Sequence, residues 1–191
     1  IRESLQAEGI ASVELGGAVP NPRLSLVYEG IALAKQEAVD FILAVGGGSA
    51  IDSAKAIAYG VADEGEVWDL YEHIRQAKAA LFVGVVLTIA ASGSEMSSSS
   101  VITKDEGMVK RGYNNDLCRP KFAIMNPELT MTLPDYQTAC GCTDILMHTM
   151  ERYFTNGGNM ELTDTLAEAL MRTVMKQAII LRDDPKNYDA R

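Results

Sequence analysis

Phe41-Ile42-Leu43-Ala44-Val45-Gly46-Gly47-Gly48-Ser49-Ala50-Ile51-Asp52 is the stretch that decides the fold. Its unbroken apolar opening reads as a strand covered on both faces, because a half-exposed strand would alternate. The glycines end the strand, and Ser49 opens a helix that carries Ile51, Ala54, Ala58 and Val61 at helical spacing. Without Cβ atoms, consecutive glycines let an anion approach the backbone, and the helix start beyond them offers free N–H groups at a positive dipole end. Ser49 is placed to cap the helix or to meet a phosphate oxygen, with Asp52 one turn inside. Counted from Gly46, the third glycine of G-x-G-x-x-G is replaced by Ile51, and no Lys-Ser/Thr pair follows. The unit is therefore neither the common dinucleotide fingerprint nor an NTPase loop. Two readings stay open: a phosphate seat, and a plain tight turn between strand and helix.

Upstream, Ile1 to Glu8 reads as the end of an amphipathic helix stopped by Gly9, and Ile10 to Leu15 as a short strand. Asn21-Pro22 opens a helix in which Leu24, Val27, Ile31 and Ala34 share a face up to about Ala38. Downstream, Trp68 to His73 reads as short helix or irregular chain. Leu81 to Leu87 is a second buried strand, followed by the polar loop Thr88 to Ser100. Within that loop Ser92, Gly93, Ser94 and Glu95 fit either a ligand contact beyond a strand end or a capped helix start. Val101 to Thr103 and Met108 to Lys110 form a hairpin around Asp105-Glu106-Gly107, and Phe122 to Met125 is one more short strand. Strands alternating with helices predict a parallel α/β sheet.

The pattern changes after Asn126-Pro127, where strand signals stop. One helix is expected from Pro134 to about Phe154, and another from Thr163 with Leu166, Leu170, Val174 and Ala178 on its buried stripe. On the first, Ala139, Cys142, Ile145, Leu146, Thr149 and Tyr153 form the apolar face. Gln137, Gly141, Asp144, His148 and Glu151 fall opposite. Spacing of four makes Asp144 and His148 neighbours across one turn. A carboxylate and an imidazole so placed suit a divalent cation such as Zn²⁺ or Fe²⁺. They equally suit an ordinary ion pair on a solvated face.

Composition narrows the function classes. An apolar fraction of 47% over 191 residues supports a folded core, and a net charge of −9 disfavours a broad nucleic-acid or anionic-membrane surface. No apolar run reaches membrane-spanning length, and no signal peptide opens the chain. Cys118, Cys140 and Cys142 show no Cys-x-x-Cys spacing, which points to reduced thiols in a cytoplasmic protein. Ile1 in place of Met, and the break at Asp183-Asp184-Pro185 shortly before Arg191, read as a chain cut at both ends.

Taken in order, several segments resemble the iron-containing (group III) alcohol dehydrogenase family, and within it the butanol dehydrogenase branch. They are Asn21-Pro22-Arg23, Gly46 to Asp52, Thr88 to Met96, Lys121 to Thr130, Thr132-Leu133-Pro134 and Thr138 to His148. The resemblance implies a dehydroquinate synthase-like fold. Residues 1–127 would be a Rossmann-like NAD(P)-binding domain lacking its first strand, and 128–191 the beginning of an all-helical metal-binding domain. It implies that Gly47, Gly48 and Ser49 form the pyrophosphate loop, with Asp52 in the same motif, and that Thr88, Ser92 and Lys121 line the cofactor. Asp144 and His148 match the first two metal ligands. The family's other two are histidines on later helices, and here the one remaining histidine is His73. The expected cofactors are NAD(P)H and Fe²⁺ or Zn²⁺, the substrate a small alcohol or aldehyde, and the full-length form a homodimer. Rival expectations are a glycerol-dehydrogenase-like oxidoreductase, a dehydroquinate-synthase-like lyase, and a nucleotide-binding module without catalysis.

Overall fold

The computed structural model describes residues 1–191. Helix α1 (Arg2–Ala7) is followed by an irregular stretch, α2 (Leu24–Gln36), strand β1 (Phe41–Gly46) and helix α3 (Gly48–Ala62). Next come the short α4 (Trp68–Tyr71), β2 (Phe82–Leu87), β3 (Ser99–Lys104), β4 (Val109–Asn114) and β5 (Phe122–Ile124). Two long helices, α5 (Asp135–Tyr153) and α6 (Glu161–Asp183), complete the chain. Strands β1, β2 and β5 form a parallel sheet in that order, with β2 in the middle, and β3 and β4 form a separate antiparallel hairpin. The parallel sheet with its crossover helix, followed by a helical region, is the architecture expected from the alternation of apolar runs.

Helix α3 organises the first half. One side packs on the sheet, where Ile51, Ala54 and Ala58 meet Ala44, Val83, Val85 and Leu87. The other side joins a second cluster in which Ala56 and Tyr59 meet Leu24, Val27, Trp68, Tyr71, Ile102 and Tyr113. This cluster collects α2, α4 and the hairpin into a second layer. The approach of α2 to α3 is close because each helix offers a buried glycine to an isoleucine of the other. A Cβ on Gly30 would lie 2.8 Å from Ile57 Cγ1, and one on Gly60 would lie 2.7 Å from Ile31 Cγ1. Both distances are shorter than van der Waals contact.

Three expectations are corrected. Residues 10–15 form no strand, since no strand of the sheet pairs with them, and Ile10 and Val13 are exposed. Strand β1 is covered on one face only. Phe41 and Val45, with Phe82, Phe122 and Ile124 from its neighbours, are exposed on the face away from α3. The apolar run records a strand whose two faces are both apolar, and α3 covers one of them. On α6, Leu166 and Leu170 are 62% and 47% exposed, because the helix packs mainly against α5 and along a different line. Smaller shifts affect the hairpin, which is longer at both ends than expected, and α6, which begins at Glu161 rather than Thr163.

The glycine–isoleucine interlock sets an expected cost. Gly60→Val forces Ile31 out of its groove and should lower stability by about 1–3 kcal/mol. Adding Ile31→Ala should recover part of that loss. Urea denaturation followed by circular dichroism reads both, and an unchanged midpoint for Gly60→Val would refute the interlock.

Candidate functional site

Parallel strands bind ligands beyond their carboxyl ends, so the exits of β1 and β2 are the place to look. Residues 46–49 leave β1 and residues 88–98 leave β2 side by side, tied by the Thr88 N–H donating to the Gly46 carbonyl at 3.1 Å. Gly47 caps α3 without any side-chain help, and the helix begins at Gly48, one residue earlier than expected. The amides of Gly47, Gly48 and Ser49 find no acceptor within the chain. Three adjacent donors at the start of a fifteen-residue helix are suited to an anion.

The glycines are also needed for packing. A Cβ on Gly47 would fall 2.5 Å from Ile89 Cγ2, and one on Gly48 would fall 2.6 Å from Ser92 Oγ. The tight-turn reading and the anion-seat reading thus describe one object: the loops press together and leave the amides facing outward.

Those amides open into a cavity of about 1230 Å³. Gly47, Gly48, Ser49, Asp52 and Ser92 line it, and so do Asp144 and His148 from α5. What brings α5 so near is Gly141, which is buried against the β2 exit loop. A Cβ there would stand 2.5 Å from the Ala90 carbonyl oxygen. Sequence periodicity assigned Gly141 to the polar face. The structure shows that this face is a cleft wall rather than open surface.

His148 Nε2 lies 3.7 Å from Asp144 Oδ1, and its Nδ1 lies 3.8 Å from Glu151 Oε2, with Asp144 and His148 about half exposed. The first gap is too long for a hydrogen bond. It still lets both atoms reach one ion at about 2.0–2.2 Å from each, as Zn²⁺ requires. No group of three or more His, Cys, Asp or Glu side chains is arranged to hold a metal.

Asp52 borders the cavity, but its carboxylate turns away from the amides. It accepts from Ser94 Oγ at 2.6 Å and from the Val101 N–H at 3.0 Å. Burial pushes its carboxyl upward, against the opposing pull of those hydrogen bonds and of the Lys55 charge. Asp52 therefore bolts α3 to the loop and to β3.

Thr88 and Lys121 are not brought to the cavity. Thr88 stays in line with the strand ladder. Lys121 precedes β5 at the entry side of the sheet, with its Nζ 4.8 Å from the centre of the Phe82 ring. Two cations do line the cavity, Arg152 on α5 and Lys110 on β4, whose Nζ donates to Asn21 Oδ1 at 2.8 Å. Sequence reading missed Lys110, since a lysine on a hairpin carries no local signal of what the opposite layer brings near it. Glu151, also on the cavity wall, was within reach of a spacing argument at three residues from His148.

Comparison with known proteins agrees with this geometry. Residues 1–127 match the model of the iron-containing alcohol dehydrogenase family, and residues 138–191 match the C-terminal model of the same family. A probable NADH-dependent butanol dehydrogenase 1 from Bacillus subtilis is 45% identical over 99% of this chain and 49% of its own length. An NADPH-dependent aldehyde reductase from Escherichia coli is 35% identical over 96% of this chain and 48% of its own length. The crystal structure of an NADH-dependent butanol dehydrogenase A from Thermotoga maritima superimposes with a TM-score of 0.95 at 41% identity, covering 99% of this chain and 47% of that one. The chain spans about half the length of the curated relatives it matches. Fold, ordered motifs and the two family models agree that this chain belongs to the iron-containing alcohol dehydrogenase family.

Proposed function

We propose that the protein is an NAD(P)H-dependent, metal-dependent alcohol dehydrogenase or aldehyde reductase, passing a hydride between nicotinamide and a small alcohol or aldehyde. One observation carries the reading: the unpartnered amides of Gly47 to Ser49 and the Asp144–His148 pair open onto the same cavity. The relatives named as NADH-dependent butanol dehydrogenase and NADPH-dependent aldehyde reductase support the reaction class and the coenzyme.

In this reading the amides of Gly47, Gly48 and Ser49 hold the coenzyme pyrophosphate, with Ser49 and Ser92 as adjoining hydroxyls and Lys110 as the nearby positive charge. Asp144 and His148 hold Fe²⁺ or Zn²⁺. When bound, the cation supplies Lewis-acid polarisation of the substrate oxygen and the nicotinamide supplies hydride chemistry. Gly141 sets how near the metal-bearing helix stands to the coenzyme loop, and reaction rates depend steeply on such placement. We assign residues 1–127 to coenzyme binding and residues 128–191 to a helical metal-binding domain. A cytoplasmic location is supported by three free cysteines, and no helix is long and apolar enough to cross a membrane. A homodimer is part of the proposal.

A second reading, nucleotide binding without catalysis, is favoured by one observation: no third His, Cys, Asp or Glu joins the Asp144–His148 pair in a metal-holding group. Metal and coenzyme measurements separate the two. His148→Ala should strip bound metal from the purified protein, and unchanged content by elemental analysis would sink the ligand assignment. Gly48→Val should weaken NADH or NADPH binding by about tenfold or more in a fluorescence titration. An unaltered titration would refute the pyrophosphate seat. Lys110→Met should weaken the same binding severalfold while Lys121→Met leaves it unchanged, and the reverse order would restore Lys121 to the site.

A further inference from the structure

Lys55 is fully buried in the middle of α3, and it forms no salt bridge with any carboxylate. Its Nζ is ringed by four oxygens from the β2 exit loop and the first residue of β3. It donates to the Ser94 carbonyl at 2.7 Å, the Ser97 carbonyl at 2.8 Å, the Ser99 carbonyl at 2.8 Å and Ser94 Oγ at 3.0 Å. An ammonium has three protons, so one is shared between two acceptors. Hydrogen bonding joins it to the Asp52 carboxylate through Ser94, whose hydroxyl donates to Asp52 Oδ1 while accepting from Lys55. A cage of backbone carbonyls and a hydroxyl is the chemistry that replaces the hydration shell of a bare monovalent cation.

We propose that Lys55 serves as a built-in monovalent cation, a positioning residue whose tethered ammonium moulds the loop 94–99 and thereby the coenzyme seat beside it. The proposal rests on the coenzyme reading of that cavity. Ser94, Ser97 and Ser99 all border the cavity, and Ser92 in the same loop packs against Gly48. Lys55 alone gathers the carbonyls of Ser94, Ser97 and Ser99 at one point. The loop's other ties are the short turns Met96 N–H to Gly93 carbonyl and Ser97 N–H to Ser94 carbonyl, the Ser99 N–H donating to Ser97 Oγ, the Asn115 N–H and Cys118 thiol donating to the Ser98 carbonyl, and a contact from Arg119 to the Met96 carbonyl. Without the ammonium, three carbonyls converge on one buried point with no donor, an arrangement that favours opening of the loop. The serine-rich sequence of this segment fits the role, since small side chains let several carbonyls turn inward together.

A tethered cation can be replaced by a free one, and a purely structural side chain cannot. Lys55→Ala should weaken NADH binding by about tenfold or more. Propylammonium, which supplies the lost chain and charge, should restore most of the affinity. Tetramethylammonium, which has no N–H, should not. Lys55→Met fills the side-chain channel while leaving the cage empty, and should be impaired without rescue. Affinity of Lys55→Ala equal to that of the unmodified protein, or a loss that propylammonium leaves unchanged, would overturn the proposal.

Limited proteolysis without nucleotide gives a second readout. Cleavage within residues 91–99 should be faster in Lys55→Ala and slowed by propylammonium, and equal cleavage rates would count against the cage. Should Lys55→Ala fold poorly, recovery of folded protein on refolding with propylammonium, but not tetramethylammonium, supports the cage; equal yields overturn it. If the unmodified protein itself fails to bind NADH, the coenzyme reading falls while proteolysis still decides the role of Lys55.

Discussion

Enclosure of α3 is the constraint on which the rest of the structure depends. The helix is pressed by the sheet on one side and by α2, α4 and the hairpin on the other, so few of its side chains reach water. Such a position selects small residues, and four alanines and a glycine from Ala50 to Gly60 allow both layers to approach. Any polar group admitted must find partners inside, because leaving one unmade costs more than a formed bond returns. Lys55 and Asp52 both meet that demand, and both do so with atoms of the β2 exit loop or of β3. The buried helix therefore organises a loop as well as a core.

This arrangement brings the cavity walls into close contact. Loops at strand ends are ordinarily the mobile part of an α/β domain. Here Gly47 and Gly48 bring the first loop against Ile89 and Ser92, and Gly141 brings α5 against Ala90. Two loops and one helix are in contact at points where even a methyl group would not fit. Anion donors and metal-capable side chains come to share a cavity through these close approaches, with no long side chain needed to bridge the gap.

Much of this was legible in the sequence, and the limits have physical causes. The strand–glycine–helix unit, the parallel strands and the two long helices follow from periodicity, which local chemistry sets. Residues 10–15 alternate like a strand, but a strand exists only if another pairs with it, and pairing is not a local property. Leu166 and Leu170 show the same limit on a helix, since an apolar stripe says that a face can be buried without saying by what. Lys121 was placed by its neighbourhood in a motif, whereas Lys110 reaches the cavity through the long-range register of the hairpin. Lys55 was visible as a charge set between Ala54 and Ala56 on a buried helix, yet its partners lie about forty residues on in a loop.

Asp144 and His148 show how surroundings change the meaning of a fixed spacing. On an isolated helix an i,i+4 carboxylate–imidazole pair is worth a few tenths of a kcal/mol and signifies little. At 3.7 Å the two are not hydrogen-bonded to each other, so the pair does not satisfy itself. Both side chains face the cavity that receives the free amides of α3, and Gly141, one turn earlier, removes the bulk that would hold α5 away. A surface ion pair requires none of these features, whereas a metal seat beside a coenzyme loop requires all of them.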